Sequence, residues 1–160
     1  MRLAAIGEIF RLIASILIAQ SAGLVGAIFT MNSIWTWYRH LNKPEFTPSG
    51  QFISAAWVVL YTLMGTASYL VWRSKRPGST GAMIIYAAQL LVNVLWSGAF
   101  FGLRSPSSGL MVIGILWTLI LATIRKFWSI SRPSALLLVP YLLWTSFAAY
   151  LNYSIWRLNR

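Results

Sequence analysis

Residues able to do acid–base or metal chemistry are almost missing from this sequence. Glu8 and Glu45 are its only carboxylates, His40 is its only histidine, and cysteine is absent. General acid–base catalysis needs two titratable groups within reach of one substrate, and a metal needs several converging ligands; no pair here has the spacing for either. A phosphate-binding glycine loop and a dinucleotide fingerprint are also absent. His40 could serve as an axial ligand to a haem iron, but a lone histidine beside Arg39 reads more simply as an interfacial polar group. No metal site is expected.

The chain offers π surface and amides instead, with nine tryptophans, seven tyrosines and eight phenylalanines. On a helical wheel Tyr86, Gln89, Asn93, Trp96, Ser97 and Phe100 share one arc of roughly 100°. Ile53, Trp57 and Tyr61 line up at i, i+4 and i+8, and Tyr141, Trp144, Ala148, Leu151 and Asn152 share an arc further on. Side chains of these kinds bind by stacking and by a few directed hydrogen bonds. Three such faces at similar depth, with small residues at Ser97 and Ala148 leaving room, predict a flat, apolar pocket for a planar or polycyclic hydrophobe. The competing expectation is that Gln89 and Asn93 only hydrogen-bond neighbouring helices and that the indoles only pack.

The elements that must hold these faces are set by hydropathy. Residues 12–34, 52–72, 82–103, 108–124 and 135–156 are apolar over about 20 residues each, the length an α-helix needs to cross a hydrocarbon layer about 30 Å thick. Lipid offers the backbone no hydrogen-bond partner, so each stretch is predicted to be helical. The sequence therefore predicts an all-α integral membrane protein, a bundle of five transmembrane helices forming one domain over residues 1–160. With 58% hydrophobic and 9% charged residues, it has too little polar surface to clothe a soluble globule.

Thirteen basic against two acidic residues give a net charge of +11. Most of the basic residues fall between or beyond the spans, where they meet lipid phosphates, and no nucleic-acid module accompanies them. Nucleic acid is not an expected partner. Their distribution favours a cytoplasmic N-terminus. The first apolar run is too long for a signal-peptide core and is expected to be a retained helix.

Trp35, Trp37, Trp72, Trp128 and Trp156 lie at span ends, as interfacial rings should, whereas Trp57, Trp96, Trp117 and Trp144 lie deeper. Residues 35–49 form a long connection rich in aromatics and proline, which predicts a segment packed as a lid. Pro140 predicts a bend in the fifth span. Gly98 and Gly102 lie nearly opposite Asn93, and their spacing lets two helices approach closely in lipid; a homodimer with these glycines at its interface is expected, with packing against a helix of the same chain as the other reading.

Several motifs in order are distinctive: Trp37-Tyr38 leading to Leu41-Asn42-Lys43-Pro44 and Pro48; Ala56-Trp57 followed by Leu60-Tyr61-Thr62-Leu63-Met64-Gly65; Tyr86-Ala87-Ala88-Gln89-Leu90 with Asn93, Trp96-Ser97 and Phe100-Phe101-Gly102; and Val139-Pro140-Tyr141-Leu142-Leu143-Trp144 with Phe147-Ala148 and Leu151-Asn152. On these, essentially the whole chain resembles the translocator protein, or tryptophan-rich sensory protein (TspO/MBR), family. The resemblance implies a five-helix bundle binding porphyrins, and in some members cholesterol and synthetic drugs, beneath the first loop. By motif position it implies a lining of Tyr38, Pro48, Trp57, Asn93, Trp96, Ser97, Trp144 and Ala148. The residues' own arcs add Ile53, Tyr61, Gln89, Phe100 and Leu151.

Some bacterial members degrade protoporphyrin in light. The resemblance carries that role to Trp57 and Trp144 as candidates, with indole oxidation by a photoexcited porphyrin requiring no acid–base apparatus. The chain departs from the family's lid pattern Lys-Pro-x-Trp-x-Pro-Pro, having Phe46 for the tryptophan and Ser49 for the last proline. Leu151, Tyr153 and Arg157 fit a pattern proposed for sterol contact.

The expected function is receptor-like or transporter-like binding of tetrapyrroles, with porphyrin or haem as ligand, no required cofactor, and Arg39 or Lys43 meeting the propionates. Light-dependent porphyrin degradation is the alternative, and a structural membrane partner without a small ligand is a third reading. The expected location is a bacterial inner membrane, with a bacterial or mitochondrial outer membrane as the other options.

Overall fold

The computed structural model describes the backbone of residues 2–160 and the side-chain surroundings of residues 6–160. Five long apolar helical segments cross the bundle: Ile6–Ile34, Gly50–Ser74, Ser79–Gly102, Pro106–Ile130 and Arg132–Leu158. They are built from α1 (Arg2–Ile34), α2 (Gly50–Ser74), α3 (Ser79–Ser97), α4 (Pro106–Ile130), α5 (Arg132–Leu137) and α6 (Val139–Leu158). The protein is an integral, multi-pass membrane protein with the expected five-helix architecture.

Helix ends follow local chemistry. Ser49 caps α2 by accepting the Phe52 N–H at 3.3 Å, so the serine in the lid starts a helix. Ser105 accepts the Ser108 N–H at 3.2 Å, with Pro106 at the first turn of α4. The α2–α3 turn closes through left-handed Lys75 and Gly78, at φ 49° and 86°. Several segments outrun their apolar stretch. α4 continues to Ile130 instead of ending near 124, because Arg125 and Lys126 are exposed side chains that reach the interface without breaking the helix.

The fifth span breaks at Leu138, between α5 and α6. Pro140 explains it, since it has no N–H to give to the carbonyl one turn back. The third span ends in a wide turn over Gly98–Gly102, where the N–H groups of Leu103 and Ser105 donate to Gly98 O at 2.8 Å and Phe100 O at 3.2 Å. This turn presents consecutive Phe100 and Phe101 to the lid, and Ser33 Oγ, donating at 2.5 Å, satisfies the Phe101 carbonyl.

α1 packs on α2 and α3, α3 on α4, α4 on α5 and α6, and α5 on α2, which closes the ring. α2 meets α6 only sparsely. α1 is largely lipid-facing, with Ile9, Phe10, Leu17, Leu24 and Met31 all exposed. It approaches α2 at Gly65, where a Cβ would stand 2.5 Å from Ile16 Cα. Gly98 and Gly102 both face the Phe29 ring of α1 in the same chain, so their close approach is used internally.

The 35–49 connection does pack as a lid. Phe46 stacks on Tyr150 at 5.3 Å and meets Phe147 at 6.3 Å, so the phenylalanine in place of the family's tryptophan docks on α6. Asn42 N–H donates to Asn159 Oδ1 and Asn159 Nδ2 donates to Asn42 O, both at 2.9 Å, clasping the lid to the end of the chain. Trp37 corrects the interfacial expectation. It turns inward onto Phe100 at 5.6 Å, while Trp35, Trp72 and Trp128 stay exposed at the span ends.

Candidate functional site

Trp57, on α2 beneath the lid, is the hub of an aromatic cluster. Its ring centroid lies 5.5 Å from Tyr61, 6.2 Å from Tyr141, 6.3 Å from Trp96 and 6.4 Å from Trp144. Indoles of the second, third and fifth spans therefore converge at one level. Trp144 is also in contact with Phe52 at 6.1 Å and Phe147 at 5.6 Å, two residues absent from the arcs read in the sequence. Phe147 lay within a family motif; Phe52 falls off the Trp57 stripe, and helical spacing alone gave no signal for it.

Beneath the rings lies a polar chain. Tyr61 OH donates to Asn93 Oδ1 at 2.5 Å, Asn93 Nδ2 donates to Tyr141 OH at 2.8 Å, and Tyr141 OH donates to Gln89 Oε1 at 3.0 Å. The amides thus do bind neighbouring helices, and they also fix the tyrosines that floor the cluster. Trp96 is held by its Nε1–H, which donates to Asn152 Oδ1 at 3.3 Å, while Asn152 Nδ2 donates to Pro106 O at 2.7 Å. Gly109 leaves room for this, since a Cβ there would come within 2.8 Å of both Asn152 Oδ1 and Phe100. Gly23 similarly admits the Tyr61 ring against α1.

Four polar groups in this part of the bundle, Trp144 Nε1, Gln89 Nε2, Thr145 Oγ1 and Tyr86 OH, are buried without a hydrogen-bond partner. Such groups are rare in a settled interior and mark places where a bound acceptor would be favourable.

The remaining residues sort by position. Phe100 is buried at the upper edge of the cluster, 6.0 Å from Trp96 and 6.2 Å from Tyr38. Tyr38 itself is half-buried, and burial pushes its phenol above the ordinary value, keeping it neutral. Ile53, Pro48 and Ala148 are half-buried, Ala148 against the main core, and Leu151 is buried with Phe100 and Ile155. Ser97 is buried against Gly26 of α1, one helical turn from Gly23, which receives the Tyr61 ring. Lys43 is engaged elsewhere: its Nζ donates to the carbonyls of Tyr38, Leu41 and Arg39 at 2.8, 3.0 and 3.3 Å, which leaves Arg39 as the exposed cation at the lid. The sterol-type triplet does not share a surface, because Leu151 is buried while Tyr153 and Arg157 are exposed and paired with each other at 6.0 Å.

The rings lie on one another here. A third aromatic layer between two rings needs about 7 Å, two contacts of about 3.5 Å, so Trp57 and Trp96 at 6.3 Å would have to part to sandwich a guest. Two open clefts, of about 750 and 670 Å³, lie away from the cluster: one among Arg73, Arg76 and Arg132, the other beside Phe29 and Gly102.

A five-helix membrane bundle with an indole cluster beneath a packed first loop is the class of protein defined here. Residues 15–157 match the model of the TspO/MBR family, and the chain belongs to that family. It is 40% identical to the tryptophan-rich protein TspO of Archaeoglobus fulgidus, over 95% of this chain and 99% of that one. It is 38% identical to the tryptophan-rich protein TspO of Chlorobaculum tepidum, over 95% and 98%, and 34% identical to the translocator protein of Bos taurus, over 90% and 87%.

Proposed function

We propose that this protein binds porphyrins in the upper half of the bundle, against Trp57, Trp96 and Trp144 beneath the 35–49 lid, and serves tetrapyrrole transport or sensing in its membrane. The observation that carries this is the convergence of rings on Trp57 at 5.5 to 6.4 Å, beside a buried indole N–H without a partner. A flat macrocycle offers these rings stacking area and offers Trp144 Nε1 an acceptor. Entry is supported on the α2–α6 side, where contact is sparse, and Arg39 at the lid is the cation for a propionate. The names translocator and tryptophan-rich sensory protein carried by relatives support movement or detection of a membrane ligand. A bacterial inner membrane is the proposed location. A homodimer through the Gly98–Gly102 face is part of the proposal: Phe29 of the same chain touches both glycines, and an open cleft remains beside them.

Light-dependent porphyrin degradation is the second reading, favoured by the edge-to-face contact of Trp57 and Trp144, which would let one guest meet two oxidisable indoles. Protoporphyrin titrated into purified protein in the dark, followed by tryptophan quenching, should saturate at micromolar concentration. A linear, non-saturating response would remove the proposal. Illuminating the saturated complex separates binder from degrader: a binder returns intact porphyrin, and a degrader yields a spectrally distinct product that Trp57→Phe abolishes.

A further inference from the structure

The larger open cleft, about 750 Å³, lies at the opposite end of the bundle from the lid, where α2 ends and α4 turns into α5. It is lined by Arg73, Arg76 and Arg132 from three different segments, by Trp128, and by Ser129 and Ser131. No carboxylate lines it, and among the described residues the only ion pair is Arg11 with Glu8. The one carboxylate nearby, Glu8, is reached from Arg73 through Tyr69, and among the described residues no carboxylate lies within ion-pair distance of Arg76 or Arg132, whose charge a phosphate would meet.

The three are positioned, not loose. Arg76 Nη1 donates to Ile130 O at 2.6 Å, tying it to the last turn of α4. Arg73 Nη1 donates to Tyr69 OH at 3.3 Å, and Tyr69 donates in turn to Glu8 at 2.7 Å. Arg132 stacks over the exposed Trp128 ring at 5.7 Å. A guanidinium carries five N–H donors, so each retains several for a ligand.

The anchoring groups place the cleft at the membrane boundary: Trp128 and Trp72 are half-exposed there, as interfacial rings are, and both helix ends stop at this level. We propose that this cleft binds the phosphate of an anionic phospholipid, with Arg73, Arg76 and Arg132 as its cations and Trp128 beside the head group. It is separate from the aromatic cluster and independent of the porphyrin reading.

The test uses the full-length protein in detergent and native mass spectrometry, titrating phosphatidylglycerol and, separately, phosphatidylcholine. The wild type should retain one phosphatidylglycerol in preference to phosphatidylcholine. Arg76→Gln and Arg132→Gln should each weaken phosphatidylglycerol about fivefold, the loss expected for one interfacial cation, and leave phosphatidylcholine unchanged. Arg104→Gln and Arg157→Gln, at the lid end, should change neither. Arg132→Lys, which keeps charge but not the fork, should fall between wild type and Arg132→Gln; it also serves as the folding control. Equal losses in the lid-end and cleft variants, or none in the cleft variants, would overturn the site. If inorganic phosphate at millimolar concentration displaces the lipid completely, the site belongs to free phosphate and the lipid assignment is wrong.

Discussion

Trp57 and Trp144 meet edge to face, ring centroids 6.4 Å apart and planes 86° apart, joining the second span to the fifth where their backbones touch little. The contact is made by side chains across a seam. Here a flat guest would replace one ring's company with its own.

Removing an indole from this seam should weaken a porphyrin without unfolding the bundle. Trp144→Ala is expected to lower affinity about tenfold, as loss of one large stacking partner does. The melting temperature in detergent should fall only modestly, because Trp144 is half-buried.

The polar chain under the rings should show graded stability. Tyr141→Phe strips a partner from both Asn93 and Gln89, whereas Tyr61→Phe strips one from Asn93 alone. Interhelical hydrogen bonds in membranes contribute about 0.6 kcal/mol each on average. Tyr141→Phe should thus cost about 1 kcal/mol and Tyr61→Phe about half that, read by unfolding in mixed detergent.

Gly65→Ala should separate α1 from α2. Its Cβ would stand 2.5 Å from Ile16 Cα and 2.8 Å from Ser15 O, and backbone cannot step aside as a side chain can. We expect a loss of about 2–3 kcal/mol, typical of overpacking. Gly114→Ala meets nothing within 4 Å and should be neutral or slightly stabilising through helix propensity.

Asn159→Ala should loosen the lid. The Asn42–Asn159 clasp is reciprocal, so its loss frees one backbone N–H and one carbonyl of the lid. Hydrogen exchange over residues 40–48 should accelerate, with porphyrin association faster than in wild type.

Much of this was legible in the sequence because lipid imposes simple rules. Twenty apolar residues must be a helix, and Pro140 must disturb one. The positions of Trp57, Trp96 and Trp144 on their helices then followed from periodicity. What periodicity could not supply was the rotation of each helix against its neighbours. Ser97 shares a 100° arc with Asn93, but that it would pack on Gly26 of α1 could not be read from the arc. Gly98 and Gly102 read as a helix-packing pair and do meet Phe29 of α1, but the wide turn they form, which carries Phe100 and Phe101, left no periodic signal. Lys43 read as a cation for a propionate, while three lid carbonyls hold its amine. Contacts across 117 residues, such as Asn42 with Asn159, leave no mark in either segment alone.

A dark protoporphyrin titration comparing wild type, Trp144→Ala and Trp117→Phe, read in the porphyrin's own absorbance band, tests the indole cluster most directly. Trp117 is exposed and its Nε1–H donates to Ser146 at 2.9 Å, outside the contacts gathered on Trp57. Saturation at one porphyrin per chain, weakened about tenfold in Trp144→Ala and unchanged in Trp117→Phe, is the predicted result. Equal affinity in all three proteins would mean that porphyrin sits elsewhere, and the account would be wrong.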